Sequence, residues 1–133
     1  MMTTWMLVED EPDLHELLCY LIEGIGHQVL GFWDGEEALA WIEAADQGRA
    51  PGEYPELALI DLRLPGQAGG PEVAARLRRS PILQQTAIVL MTAYRLSAAE
   101  ETCILAQADP DLLLYKPLPA FPEFRQKLED LLM

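Results

Sequence analysis

Positive charge is scarce in this chain: 9 Lys and Arg stand against 22 Asp and Glu, a formal net charge of -13. A protein so acidic repels a phosphate backbone, and no basic cluster interrupts the pattern, so direct nucleic-acid binding is not expected. Long apolar runs are missing as well. None approaches the roughly 20 residues that span a bilayer, and the N-terminus carries neither the basic start nor the cleavage site of a signal peptide, so the expected location is cytoplasmic, with no membrane contact. Cysteine is limited to Cys19 and Cys103, too few for a disulfide framework. Both fall in apolar helical patterns and read as reduced, partly buried thiols. No glycine-rich loop follows any predicted strand, which removes the common nucleotide-binding arrangements. The two histidines, His15 on an amphipathic helix and His27 at a strand start, are far apart and read as surface or capping residues rather than metal ligands or bases.

Hydrophobic residues make up 50% of the 133 positions, enough to bury a core without disulfides or structural metal, and residues 1–133 read as a single domain. The apolar run Leu57-Ala-Leu-Ile-Asp61 ends in one carboxylate, and a turn with Pro65 and Gly66 follows. A run that hydrophobic predicts a strand buried on both faces, with Asp61 at its carboxyl end. Three further strands end in functional groups: Thr4 to Val8 runs into Glu9, Asp10 and Glu11; Thr86 to Met91 runs into Thr92; Leu112 to Tyr115 runs into Lys116 and Pro117. A short strand over 27–32 carries no such group.

Helices alternate with these strands. Pro12 suits a first helical turn, and Leu14, Leu17, Leu18, Leu21, Ile22 and Ile25 follow at helical spacing before Gly24 and Gly26 end the pattern. Asp34 with Glu37 marks the start of a second helix that turns Leu39, Ile42 and Ala45 inward. Residues 47–55 form a turn-rich loop, longer than usual and expected to lie away from the strand ends that carry the chemistry. A third helix over 72–79 stops at Ser80-Pro81, because the residue before proline is pushed out of helical geometry. Ser97 with Glu100 opens a fourth, to about Gln107, and Phe121, Phe124, Leu128, Leu131 and Leu132 line the last. Five strands alternating with five helices predict an α/β fold with a doubly wound parallel sheet.

An acid pair, a lone Asp, a Thr and a Lys, each at a strand end and in that order, resemble the receiver domain of two-component response regulators. The resemblance implies a flavodoxin-like strand order 2-1-3-4-5, which brings strands one, three and four side by side. It implies that Asp61 is a phosphoacceptor, with Lys116 and Thr92 contacting the phosphoryl group. It also implies an Mg²⁺ ion held by Glu9, Asp10, Asp61 and the backbone carbonyl of Arg63. Oxygen ligands of this kind suit that ion, and three carboxylates in one pocket repel one another without it. The implied partners are a sensor histidine kinase or phosphotransfer protein as phosphodonor, and a downstream protein at the face of helix four, strand five and helix five. The apolar stripe of the last helix leaves open a phosphorylation-dependent homodimer. Such a chain is a signalling switch that catalyses only its own phosphorylation and dephosphorylation.

The pattern departs from the family in places. Receivers place an aromatic switch residue three positions before the lysine, and here that position is Leu113. Tyr115 is expected on the same face. The turn after Asp61 reads one residue longer than usual. The bulky Arg63 and Tyr94, two beyond the phosphoacceptor and two beyond the threonine, predict restricted water access and a long-lived phosphorylated state. Two other readings compete. One is a degenerate receiver serving as a constitutive protein-binding module. The other is a hydrolase of the haloacid dehalogenase class, which wants a second acid where Arg63 stands.

Overall fold

The computed structural model describes residues 3–133. Five strands, β1 (Thr4–Val8), β2 (Gln28–Phe32), β3 (Leu57–Asp61), β4 (Ala87–Thr92) and β5 (Leu112–Tyr115), alternate with five helices. The helices are α1 (Pro12–Gly24), α2 (Gly35–Asp46), α3 (Gly70–Arg79), α4 (Ala98–Ala108) and α5 (Phe121–Asp130). The strands form one sheet in the order β2-β1-β3-β4-β5, and every neighbouring pair is parallel.

Alternation along the strands builds two apolar layers. Met6, Val8, Ala58, Ile60, Ile88 and Leu90 face Ala38 and Ile42 of α2 and Val73 and Leu77 of α3. Trp5, Leu7, Leu57, Leu59, Val89 and Met91 face Leu18 and Ile22 of α1 and Phe124 and Leu128 of α5. β1, β3 and β4 are therefore buried on both faces, while β2 and β5 form the half-exposed edges. Truncating a central residue such as Leu59 to Ala removes contacts on a dry face, at a cost of about 2–5 kcal/mol.

Local sequence sets the helix starts. The Glu11 carboxylate accepts from the Asp13 and Leu14 amides and caps α1 ahead of Pro12. Asp34 accepts from the Glu37 amide at 2.8 Å, and Ser97 and Glu100 bond one another's backbone in a reciprocal cap of α4. α3 begins at Gly70, two residues before the expected start, because Pro71 occupies its first turn. Its end falls as expected at Arg79, with Ser80 extended at ψ 126 before Pro81. Residues 47–56 connect α2 to the amino end of β3, so this loop lies at the edge opposite Asp61. Two expectations about burial are corrected. Cys19 is partly buried but Cys103, on a helix whose buried residue is Ala108, is exposed. His15 is buried rather than at the surface.

Candidate functional site

All five strands deliver their carboxyl ends to one edge of the sheet, and the polar residues that end them meet there. The Glu9 amide donates to the Phe32 carbonyl at 3.1 Å, which extends β1 by one residue and turns the Glu9 side chain inward. Glu9 is fully buried, Asp61 is nearly so, and Asp10 is exposed. Carboxylate oxygens of all three lie within 4.8 Å of one another. Lys116 Nζ donates to Glu9 Oε1 at 3.1 Å and to Asp61 Oδ2 at 3.3 Å, and its backbone amide is fixed to the Thr92 carbonyl at 2.7 Å. The Lys116-Pro117 peptide is cis.

Burial dominates the electrostatics of Glu9: it raises the pKa, Asp61 adds to the rise, and the Glu11 amide and Lys116 ammonium oppose it. Burial pulls the Lys116 pKa down, but Glu9 and Asp61 together outweigh it and leave the ammonium above its ordinary value. One ammonium against three carboxylates leaves the pocket with an excess of negative charge and only oxygen donors. That donor set fits a hard divalent cation of the Mg²⁺ type.

Thr92 and Arg63 flank the pocket. Asp61 pairs with Met91 across β3 and β4, so Thr92 stands one residue further along the same edge. It is buried, and its hydroxyl accepts from the Tyr94 amide at 3.1 Å. The Arg63 backbone N–H points at Asp61 Oδ1 from 3.4 Å, while its exposed guanidinium lies over the Tyr94 ring. Gly70 brings the first turn of α3 against β3. A Cβ there would collide with the carbonyl oxygen of Asp61 and come within 2.8 Å of Leu62 Cα. The turn after Asp61 is tied down by Glu36, whose carboxylate accepts from the Gln67 and Ala68 amides at 3.1 and 2.7 Å. Gly66 in that turn has a φ of 82°, a conformation other residues adopt only with strain.

The structure thus brings together Glu9, Asp10, Asp61 and Lys116, with Thr92 at the rim. Tyr115 shares the face of Leu113, as strand alternation requires, and its hydroxyl donates to Glu101 Oε2 at 3.1 Å. Sequence reasoning missed His15. Its Nδ1 lies 2.7 Å from the Glu9 carbonyl oxygen, and its ring stacks on Trp33 with centroids 3.7 Å apart. The signal was Gly31 in the middle of β2, where a Cβ would stand 3.1 Å from His15 Nε2. Glu36 was missed because the amides that donate to it lie on a turn 31 and 32 residues away.

The comparisons with known proteins assign this doubly wound sheet, with its acidic pocket at the carboxyl edge, to a class of signalling domain. The family of response regulator receiver domains matches residues 6–129, and the chain belongs to it. It is 37% identical over 86 residues to the alkaline phosphatase synthesis transcriptional regulatory protein PhoP of Bacillus subtilis, covering 62% of this chain and 32% of that protein. It is 31% identical over 88 residues to the phosphate regulon transcriptional regulatory protein PhoB of Escherichia coli, covering 66% and 34%. The match thus spans about a third of these relatives' length. Among solved structures, a response regulator from Chloroflexus aurantiacus superposes with a TM-score of 0.80 at 25% identity, covering 99% of this chain and 98% of the other. The receiver domain of the sensor histidine kinase PA1611 from Pseudomonas aeruginosa, solved with a magnesium ion in its active-site cleft, gives a TM-score of 0.77 at 24% identity, covering 98% and 97%. No helix among the described residues is long and apolar enough to cross a membrane.

Proposed function

We propose that this receiver domain accepts a phosphoryl group on Asp61 from the phosphohistidine of a sensor kinase or phosphotransfer protein. The observation that carries the reading is the position of the Asp61 carboxylate, between the acids Glu9 and Asp10 and the Lys116 ammonium. An Asp61 oxygen attacks the phosphorus, the P–N bond to the donor imidazole breaks, and the imidazole leaves with a proton, giving an acyl phosphate on Asp61. Glu9, Asp10, Asp61 and the Arg63 carbonyl are the groups that would hold Mg²⁺, which supplies charge neutralisation for the phosphoryl oxygens. Lys116 exchanges part of its bonding to Asp61 for a phosphoryl oxygen. Thr92 leaves the Tyr94 amide and donates its hydroxyl to another.

The output follows from that exchange. Thr92 draws residues 93–97 with it, and the face of α4, β5 and α5 changes its shape toward a downstream protein, a second copy of this chain included. The chain catalyses only its own phosphorylation and dephosphorylation, in the cytoplasm, and its acidity directs it toward proteins rather than nucleic acid. Incubation with Mg²⁺ and acetyl phosphate, followed by intact mass, tests the proposal. One added phosphoryl group on the wild type and none on Asp61→Asn is the expected result. No adduct, together with no binding of beryllium fluoride, would replace it with a constitutive protein-binding module.

A further inference from the structure

α4 is held unevenly. Its carboxyl end is anchored: Ala108 is buried, and the Arg78 guanidinium donates to the carbonyl of Asp109, the capping residue, at 3.0 Å and to Asp111 at 2.8 Å. The rest of the helix lies against α3 but buries none of its side chains fully. No residue from Ala98 to Gln107 is buried, and Ile104 packs only at the margin of the core. Among the described residues, the hydrogen bond that ties this stretch to the sheet runs from the Tyr115 hydroxyl to Glu101 Oε2, at 3.1 Å. Burial first, and then Glu101, push the Tyr115 pKa up, so the hydroxyl keeps its proton as a donor.

Tyr115 is also the neighbour of Thr92. The two are register partners across β4 and β5, and partners in parallel strands face the same side of the sheet. Leu90 and Leu113, two residues earlier on each strand, confirm the side: both contact the core layer under α2 and α3. Thr92 is bonded through its hydroxyl to the Tyr94 amide, the beginning of the segment that leads into α4. Movement of Thr92 toward Asp61 breaks that bond and draws 93–97 along. Tyr115 stays with β5, and a hydrogen bond at 3.1 Å has little slack before it ceases to be one.

We infer that the Tyr115–Glu101 hydrogen bond is a latch that holds the amino-terminal half of α4 in its resting position, and that phosphorylation of Asp61 opens it, letting α4 swing about its Arg78-anchored end. The inference rests on the phosphoacceptor reading of Asp61. A latch closed only in the resting state opposes activation, so removing it shifts the population toward the activated form.

Calorimetric titration of the full chain with beryllium fluoride in Mg²⁺ tests this, using wild type, Tyr115→Phe and Glu101→Ala. Both variants should bind the phosphoryl mimic on the order of threefold to tenfold more tightly, the worth of one hydrogen bond to a carboxylate at a half-buried site. Their amides over 99–107 should exchange with deuterium faster than wild type in the absence of the mimic, with those of 109–112 unchanged. A merely structural tie leaves affinity equal or weaker, and equal or weaker binding by both variants overturns the latch. If wild type takes up neither beryllium fluoride nor a phosphoryl group, the phosphoacceptor reading itself has failed and the latch falls with it. If wild type responds and the variants bind no more tightly, the latch alone is wrong.

Discussion

The Arg63 guanidinium carbon stands 3.9 Å above the centre of the Tyr94 ring, so the segments leaving β3 and β4 meet beyond Asp61 and Thr92. A cation over an aromatic face at a solvent-exposed site is worth about 0.5–1 kcal/mol. On the proposed phosphoacceptor reading of Asp61, these two bulky side chains would restrict water at an acyl phosphate there. Arg63→Ala or Tyr94→Ala should therefore shorten the half-life of phosphorylated Asp61 by about twofold to fivefold. The decay of the phosphorylated mass after removal of the donor measures this, and unchanged decay in both variants would sink the idea.

Mg²⁺ should stabilise the fold through the acidic pocket. A cation at ten times its dissociation constant adds about 1.4 kcal/mol when it binds only the native state, or roughly 5 °C in a domain of this size. Thermal unfolding in Mg²⁺ and in EDTA compares the two conditions. Asp61→Asn and Asp10→Asn should lose most of the increment.

Arg78 is a fixed hub at the opposite edge of the sheet. It donates to the carbonyls of Gln84, Thr86 and Asp109 and to the Asp111 carboxylate, at 2.7 to 3.0 Å. Arg78→Ala leaves the part-buried Thr86 carbonyl and three more exposed acceptors without this donor and should cost about 1–2 kcal/mol, or roughly 5 °C in melting temperature. Arg78→Lys should recover little of it, because a single ammonium cannot span four acceptors held in a fork.

Asp46 supplies an acid-sensitive contact between α2 and α3. The Ser80 hydroxyl at 2.5 Å, and then Arg76 at 2.5 Å, hold its carboxyl below the usual carboxylate range. Its contribution is complete above the ordinary carboxylate pKa and is lost as the pH falls through the lower, folded value. Asp46→Asn should cost about 1 kcal/mol at neutral pH, a figure reduced for the site's partial exposure. In urea melts the gap between variant and wild type should narrow as the pH falls below the ordinary carboxylate range. A constant gap would show that the charge of Asp46 contributes nothing.

The strand-end residues were legible because each is a polar group that terminates an uninterrupted apolar run: Asp61 after Leu57 to Ile60, Thr92 after Ile88 to Met91. Caps are equally local, and Ser97 with Glu100 could be read three residues apart. What escaped was whatever depends on distant backbone. Arg78 looks like one more cation on a basic helix end until the chain from 84 to 111 folds over it. His15 looks like a surface residue on an amphipathic helix until Gly31, on β2, leaves room for its ring by having no Cβ. Tyr115 could be placed on its face by alternation, but its acceptor Glu101 belongs to a helix whose docking no periodicity specifies.

The stack of Trp33 on His15 joins the acidic pocket to the surface through an indole. The imidazole bonds the carbonyl of Glu9 on one side and lies flat against a ring that is 44% exposed on the other. The two remaining tryptophans stand elsewhere, Trp5 against His27 and Trp41 against Tyr54. The chain therefore carries its own chromophore beside the acidic pocket, and a change in Trp33 emission on adding Mg²⁺ would give a label-free record of binding there.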